Sequence, residues 1–177
     1  TLDEPNKLNA LSAGIREGLV DALRKVDADH AIRVAIITDS GDKAFCAGAD
    51  LSGFEFDPEK VRSFMIAVLD VLAAPEKCAK PVISAVNGFA FGGGFELAIA
   101  SDFIIASDRA HFGVPEIKLG LLPGFAIVRL NDLVGRASAK EMSMLGDPIS
   151  AEKARSLGLV LRVVSHDKLL VEAKEFA

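Results

Sequence analysis

The sequence predicts an α/β fold in which parallel strands are joined by helical crossovers. Two patterns carry this expectation. Runs rich in Val, Ile or Ala at residues 33–38, 81–86 and 103–106 read as buried strands. Between them lie stretches with helical spacing or helix-forming composition, reached by short connections.

Ser12 is placed to cap a helix running to about residue 28, where Ile15, Leu19, Ala22, Leu23 and Val26 recur at helical spacing and should face a core. Residues 33–38 follow as a strand, and 39–43 as a turn. Asp57 as cap and Pro58 at the first helical position open a second helix, expected to reach about residue 74. After the strand at 81–86, the glycine-rich stretch 88–94 leads into helix-forming residues 95–100, then the strand at 103–106. From Ser138 onward the chain turns more helical; Ser150 should cap a helix over 151–157 that Gly158 ends, and 159–164 reads as a last strand. No internal repeat or low-complexity linker marks a boundary, so residues 1–177 are expected to form a single domain.

Half of the residues are apolar and a quarter charged, a globular composition with enough chain to bury a core without disulfides or a structural metal. Apolar stretches fall well short of the roughly 20 residues a bilayer span requires, so no membrane association is expected. A net charge of -5 argues against a nucleic-acid partner, which calls for a basic stripe. Two cysteines, Cys46 and Cys78, do not make a disulfide framework and suggest a reducing compartment. No signal-peptide pattern is visible at Thr1. The chain opens at what reads as a strand end and stops inside an apparent helix at 169–177, which leaves the completeness of both ends open.

Three segments pair backbone donors with acids. The first, Asn87-Gly88-Phe89-Ala90-Phe91-Gly92-Gly93-Gly94-Phe95-Glu96, is a glycine run entering a helix. Unpaired N–H groups and the aligned peptide dipoles at such a start favour an anion or a developing oxyanion. Glu96 follows Gly93 by about one turn, within reach of a group held there. Alternatively, the glycines only permit close packing and Glu96 caps the helix or meets solvent. In the second segment, Phe112-Gly113-Val114-Pro115-Glu116, Pro115 fixes the backbone ahead of a carboxylate followed by Ile117, Leu119, Leu121 and Leu122. Apolar surroundings would raise its pKa toward that of a proton donor at neutral pH; otherwise it is a surface glutamate at a turn. The third, Phe45-Cys46-Ala47-Gly48-Ala49-Asp50-Leu51, holds small residues that leave backbone amides accessible, or is a plain tight turn. No histidine is tied to Cys46 by a recognisable pattern, and no Cys or His pair has zinc-ligand spacing, so neither a thiol nucleophile nor a metal site is expected.

Taken together, in this order and spacing, these segments resemble the crotonase superfamily, which includes enoyl-CoA hydratases and isomerases. Residues 6–11, 119–124 and 149–160 match further family positions, so the resemblance covers nearly the whole chain. It implies a crotonase-like spiral of ββα turns, with two roughly perpendicular sheets surrounded by helices. It also implies that most of the family's C-terminal helical region is missing, and that the protein is a trimer or hexamer of lipid metabolism in the cytoplasm, with the mitochondrial matrix as the alternative in a eukaryote. By position, Ala49 and Gly93 should form the oxyanion hole and Glu96 and Glu116 the catalytic pair. Ala47, Asp50, Leu51 and Ser52 should lie along the coenzyme A path, and Gly124 near the reacting water. The implied activity is enoyl-CoA hydration, with no cofactor beyond the coenzyme A carried by the substrate. Alternatives are an enoyl-CoA isomerase or other crotonase reaction, or a noncatalytic acyl-CoA-binding protein. A nucleotide-binding domain is a further alternative, but residues 88–94 lack the Lys and Ser or Thr of a phosphate loop.

One departure stands out. Where many relatives have Gly-Gly-Thr after Pro-Gly, this chain reads Phe125-Ala126-Ile127-Val128-Arg129-Leu130. Phe125 and Ile127 are expected either to reshape the acyl pocket or to pack into the neighbouring core.

Overall fold

Helices begin where the sequence supplies caps. The computed structural model describes residues 1–52 and 57–177. Ser12 Oγ accepts from Ile15 N at 3.2 Å and opens α1 (Ala13–Ala28). Asp57 Oδ1 accepts from Lys60 N at 3.0 Å and opens α2 (Pro58–Lys77), which continues through Pro75 past the expected end. That proline sits in the last turn, where the missing N–H costs one bond rather than an interior ladder.

The strands fall into two sheets. β1 (Ala35–Ile37), β3 (Val82–Val86), β5 (Phe103–Ser107) and β8 (Arg162–Val164) pair in that order, all parallel, as the sequence predicts. A second sheet, β2 (Ala44–Cys46), β4 (Phe89–Phe91), β6 (His111–Gly113) and β7 (Ile149–Ser150), is parallel except for its last pair. Up to β6 the chain alternates between the sheets, and α3 (Gly93–Ile99) joins β4 to β5. The glycine run is thus partly strand and partly the first helical turn. Further on, α4 (Ala126–Leu145), broken at Gly135 with φ +75°, starts well before the expected residue 138. α5 (Ala151–Ser156) is capped by Ser150 as expected, and α6 (Leu169–Phe176) covers the all-parallel sheet.

Phe45, Phe95 and Phe112 are fully buried with Leu11, Leu72 and Leu130 in the main core, and the Phe95 and Phe112 rings meet tilted at 58° with centroids 5.8 Å apart. A smaller cluster of Ile83, Ala85, Ile105, Leu169 and Ala173 fills the space beneath α6. Of the α1 stripe, Ile15 and Leu23 are buried, whereas Ala22 is exposed. α1 packs chiefly on α2, and a cleft of about 420 Å³, lined by Leu19, Ala22, Val26 and Ile36, separates it from β1. No helix among the described residues is long and apolar enough to cross a membrane.

Asp39, after β1, has two buried carboxylate oxygens without hydrogen-bond partners, and neighbouring Asn87 has a buried, unpartnered Oδ1. Burial pushes the Asp39 carboxyl up to about 7; Asn87 and the backbone temper the rise, and Asp42 adds to it. Between the ordinary value of 3.8 and about 7, folded Asp39 keeps a proton that the unfolded chain has lost, so stability falls as pH rises through this window. An Asp39→Asn side chain offers an amide to Asn87 Oδ1 and carries no charge to desolvate. It should stabilise the fold by about 1 kcal/mol at pH 8 and by less at pH 5. Denaturant unfolding at both pH values checks this, and equal gains at the two would contradict it.

Candidate active site

Two backbone segments meet at the start of α3. The loop after β2 is pinned by the N-terminal motif: Ala47 N donates to Leu8 O at 3.0 Å and Leu11 N to Gly48 O at 2.8 Å. Buried Asn9 donates through Nδ2 to Ser40 O at 3.0 Å and to Ala44 O at 2.8 Å, tying both ends of the approach to β2. Glycine is required where the helix meets this loop. A Cβ on Gly94 would lie 2.0 Å from Cys46 O, so α3 rests directly on the β2 backbone. A Cβ on Gly93 would lie 3.4 Å from Ala49 N, which brings the two segments of the expected oxyanion hole together. Among the described residues, neither Ala49 N–H nor Gly93 N–H donates to another protein group, and Gly93, first in its helix, lies ahead of the helical ladder.

Both expected acids converge on the same place. Glu96, on the first turn of α3, is 4% exposed, which excludes the solvent-facing alternative. Its Oε1 accepts from Phe125 N at 2.9 Å and Ala126 N at 2.8 Å, at the start of α4. Desolvation leaves its pKa raised, and the Ala126 and Phe125 amides offset only part of that rise. Glu116 lies in the 3₁₀ turn Pro115–Leu119 and reaches across to Gly92. A Cβ on Gly92, whose φ is +51°, would come within 2.5 Å of Glu116 Oε1. Glu116 Oε2 is buried with no partner. Burial first, and the charge of Glu96 in addition, push the Glu116 carboxyl up to about 7, against the pull of its own backbone amide.

The rise at Glu116 is as expected, but its cause is not. Ile117, Leu119, Leu121 and Leu122, the apolar sequence neighbours, are all exposed, Leu122 by 71%. What shields the carboxyl is the close approach to Gly92 and α3. Gly92 is therefore a site residue that the sequence did not single out, although the glycine run was its signal.

The remaining expected positions are spread more loosely. Ala47 and Asp50 are half-buried, while Leu51 and Ser52 are exposed. Asp50 accepts from Lys7 Nζ at 3.3 Å and from Ser52 N at 2.9 Å, and also from Ser52 Oγ, so Lys7 is brought to the rim of this loop. Gly124 is exposed and sits directly before the Phe125 and Ala126 amides that hold Glu96. Phe125 is 7% exposed and packs into the main core, as one of the two expectations had it; Ile127 does not, being 45% exposed. Cys46 is fully buried and its thiol is pushed up to about 12 by burial, which opposes any thiolate role. No group of three or more His, Cys, Asp and Glu among the described residues is placed to hold a metal ion.

Similarity to known proteins agrees with this geometry. The family described as Enoyl-CoA hydratase/isomerase matches residues 1–177. The crotonyl-CoA hydratase of Syntrophomonas wolfei is 43% identical over 178 aligned positions, covering 99% of this chain and 68% of its own length. The short-chain-enoyl-CoA hydratase of Clostridium acetobutylicum is 40% identical, over 100% of this chain and 69% of its own. The carnitinyl-CoA dehydratase of Salmonella typhi is 43% identical, over 100% of this chain and 68% of its own. The crystal structure of an enoyl-CoA hydratase from Bacillus anthracis superposes with a TM-score of 0.93 at 38% identity, covering 98% of this chain and 68% of that one. The chain thus spans about two thirds of these relatives, and with its alternating two-sheet fold and full-length family match it belongs to the enoyl-CoA hydratase/isomerase family of the crotonase superfamily.

Proposed function

We propose that this protein is an enoyl-CoA hydratase, adding water to a 2-enoyl-CoA to give a 3-hydroxyacyl-CoA. The observation that carries the reading is the meeting of two carboxyl groups in unlike environments beside one helix start. Burial raises both carboxyls, but two amides support the charged form of Glu96, whereas Glu116 keeps a buried, unpartnered oxygen. Unequal hydrogen-bond support of this kind can separate a base from an acid.

In this reading the thioester oxygen sits between the Ala49 and Gly93 amides. Glu96 takes a proton from water as its oxygen bonds to the β carbon. The C=C electron pair moves toward the thioester, giving an enolate whose oxygen the two amides stabilise, each contributing about 3–4 kcal/mol. Glu116 then delivers a proton to the α carbon, completing the addition of H and OH. Ala47, Asp50, Leu51 and Ser52 flank the path of the coenzyme A portion, which arrives with the substrate. Gly124 stands beside the water held by Glu96. Assembly into trimers or hexamers is part of the proposal, supported by large apolar side chains left exposed on α4, such as Val128 and Met144.

Loss of the conjugated absorbance of crotonyl-CoA on adding the protein tests the activity, and an unchanged spectrum excludes short-chain hydration. Glu96→Gln separates this from isomerisation. A single shuttling acid suffices to move a double bond, so the variant should lose hydration by roughly 10²–10⁴ while leaving any isomerase activity in place.

A further inference from the structure

The amides that hold Glu96 belong to a helix start whose first two residues, Phe125 and Ala126, are buried. Phe125 offers no capping side chain of its own, so the Glu96 carboxylate takes both of the first amides of α4, Phe125 N and Ala126 N. In the approach, Leu121, Leu122 and Gly124 are exposed, while Pro123 is buried and its carbonyl accepts from Ile127 N at 2.9 Å. This is also the stretch where the sequence departs from the Gly-Gly-Thr pattern of its relatives.

A brace lies on the outer side of this helix start. Arg129, one turn into α4, lays its guanidinium 4.8 Å from the centroid of the Phe125 ring. The same guanidinium forks onto Glu76 in the last turn of α2, with Nε to Oε1 at 2.7 Å and Nη2 to Oε2 at 2.6 Å. A carboxylate near a helix C-terminus is disfavoured by the dipole, so Glu76 gains from this partner. The pair is partly exposed, 40% at Arg129 and 34% at Glu76, and as a stability element it counts for little. Its value is geometric: a planar, two-point contact fixes direction as well as distance. Phe125 is thereby held between the core below and the guanidinium above, and its backbone N–H points to Glu96.

We propose that Arg129 is a positioning residue for hydration, acting with Glu76 through the Phe125 ring to aim the Phe125 and Ala126 amides at the Glu96 carboxylate. This rests on the reading of Glu96 as the group that activates water. Without the brace the first turn of α4 loosens, both hydrogen bonds to Glu96 weaken, and its ionised form loses support. Glu116 faces Glu96 across Gly92 and Asp132 lies near Arg129; neither supplies a replacement donor.

The test is turnover of crotonyl-CoA as a function of pH by the full chain, for wild type, Arg129→Ala, Arg129→Lys, Glu76→Gln and Glu96→Gln, with thermal unfolding of each. Arg129→Ala should lower kcat about tenfold with KM within about twofold, and move the acid limb of the kcat profile up by about half a pH unit to one unit. Arg129→Lys keeps the charge but not the fork or the stacking plane, and should recover little; Glu76→Gln keeps one acceptor and should fall between. Should Arg129→Ala fail to fold, Arg129→Lys and Glu76→Gln still decide. A variant set that melts earlier yet keeps the wild-type kcat and pH profile makes Arg129 merely structural and overturns the proposal, as does a change confined to KM. Wild-type hydration that survives in Glu96→Gln defeats the underlying reading of Glu96 instead, whatever Arg129 does.

Discussion

Glu116→Gln should abolish most hydration, lowering turnover by roughly 10²–10⁴, while making the folded protein more stable above neutral pH. The two effects have one cause. Glu116 is desolvated beside Gly92 and repelled by Glu96, which pushes its carboxyl from 4.5 up to about 7. As proton donor it serves while protonated, so the wild-type rate should decline as pH rises through about 7, and the variant should lack that limb. For stability, the folded carboxyl retains its proton between 4.5 and about 7 where the unfolded one has released it. The contribution is complete below 4.5 and is lost as pH climbs to about 7, so above that point the charged group destabilises the fold. A neutral amide escapes this cost. Paired measurements of kcat and of the unfolding midpoint at pH 6 and 8 check both halves. A variant that keeps wild-type turnover would remove Glu116 from the reaction, whatever its stability.

The second large effect belongs to a glycine that touches no substrate. In Gly94→Ala the new methyl would meet Cys46 O at 2.0 Å and the Cys46 carbonyl carbon at 2.7 Å, both backbone atoms of a fully buried strand. No rotamer relieves such a contact, so α3 must lift from β2. Overpacking of this kind costs about 1–3 kcal/mol or more. The lift also carries Gly93 away from Ala49, and a displacement of about 1 Å at a reacting centre costs on the order of 10² in rate. Gly18→Ala is the control. Gly18 lies on an exposed face of α1 with nothing within 4 Å of the added Cβ, and the same substitution should stabilise by about 0.5–1 kcal/mol. Thermal unfolding and turnover of both variants distinguish steric contact from a general intolerance of alanine. A Gly94→Ala protein within a degree and twofold of wild type would refute the packing argument.

How much of this was legible in the sequence depends on the range of the forces involved. Ser12, Asp57 and Ser150 cap helices through bonds to residues three positions on, so α1, α2 and α5 could be read locally. The all-parallel sheet was visible because Val, Ile and Ala crowd its central strands β3 and β5, which are buried on both faces. The second sheet was not: β2, β4 and β6 are three-residue strands of Phe, Ala, Cys, His and Gly, too short for any period to show. Their pairing depends on partners distant in sequence. The acids of the site were found through motif resemblance, and composition misled where it was trusted. The leucines after Glu116 point outward, and its desolvation comes from Gly92, twenty-four positions earlier in the chain. For Phe125 the sequence left two outcomes open, a reshaped acyl pocket or packing into the core; its ring is core, and its backbone is what reaches Glu96.

The alternation of the chain between two sheets bears on how the protein is made. Ala35 waits for Val82 and Ala44 for Phe89, so both early strands leave the ribosome without neighbours, and no hairpin can shelter them in the meantime. Loop closure must precede the gain from pairing, which makes such a topology slow to assemble and leaves apolar edges open during synthesis. The proposed catalytic pair inherits this schedule. Glu96 and Glu116 are neighbours only after the second sheet has added its third strand, and Glu96 gains its amides only when the following helix docks, so the nascent chain acquires chemistry late.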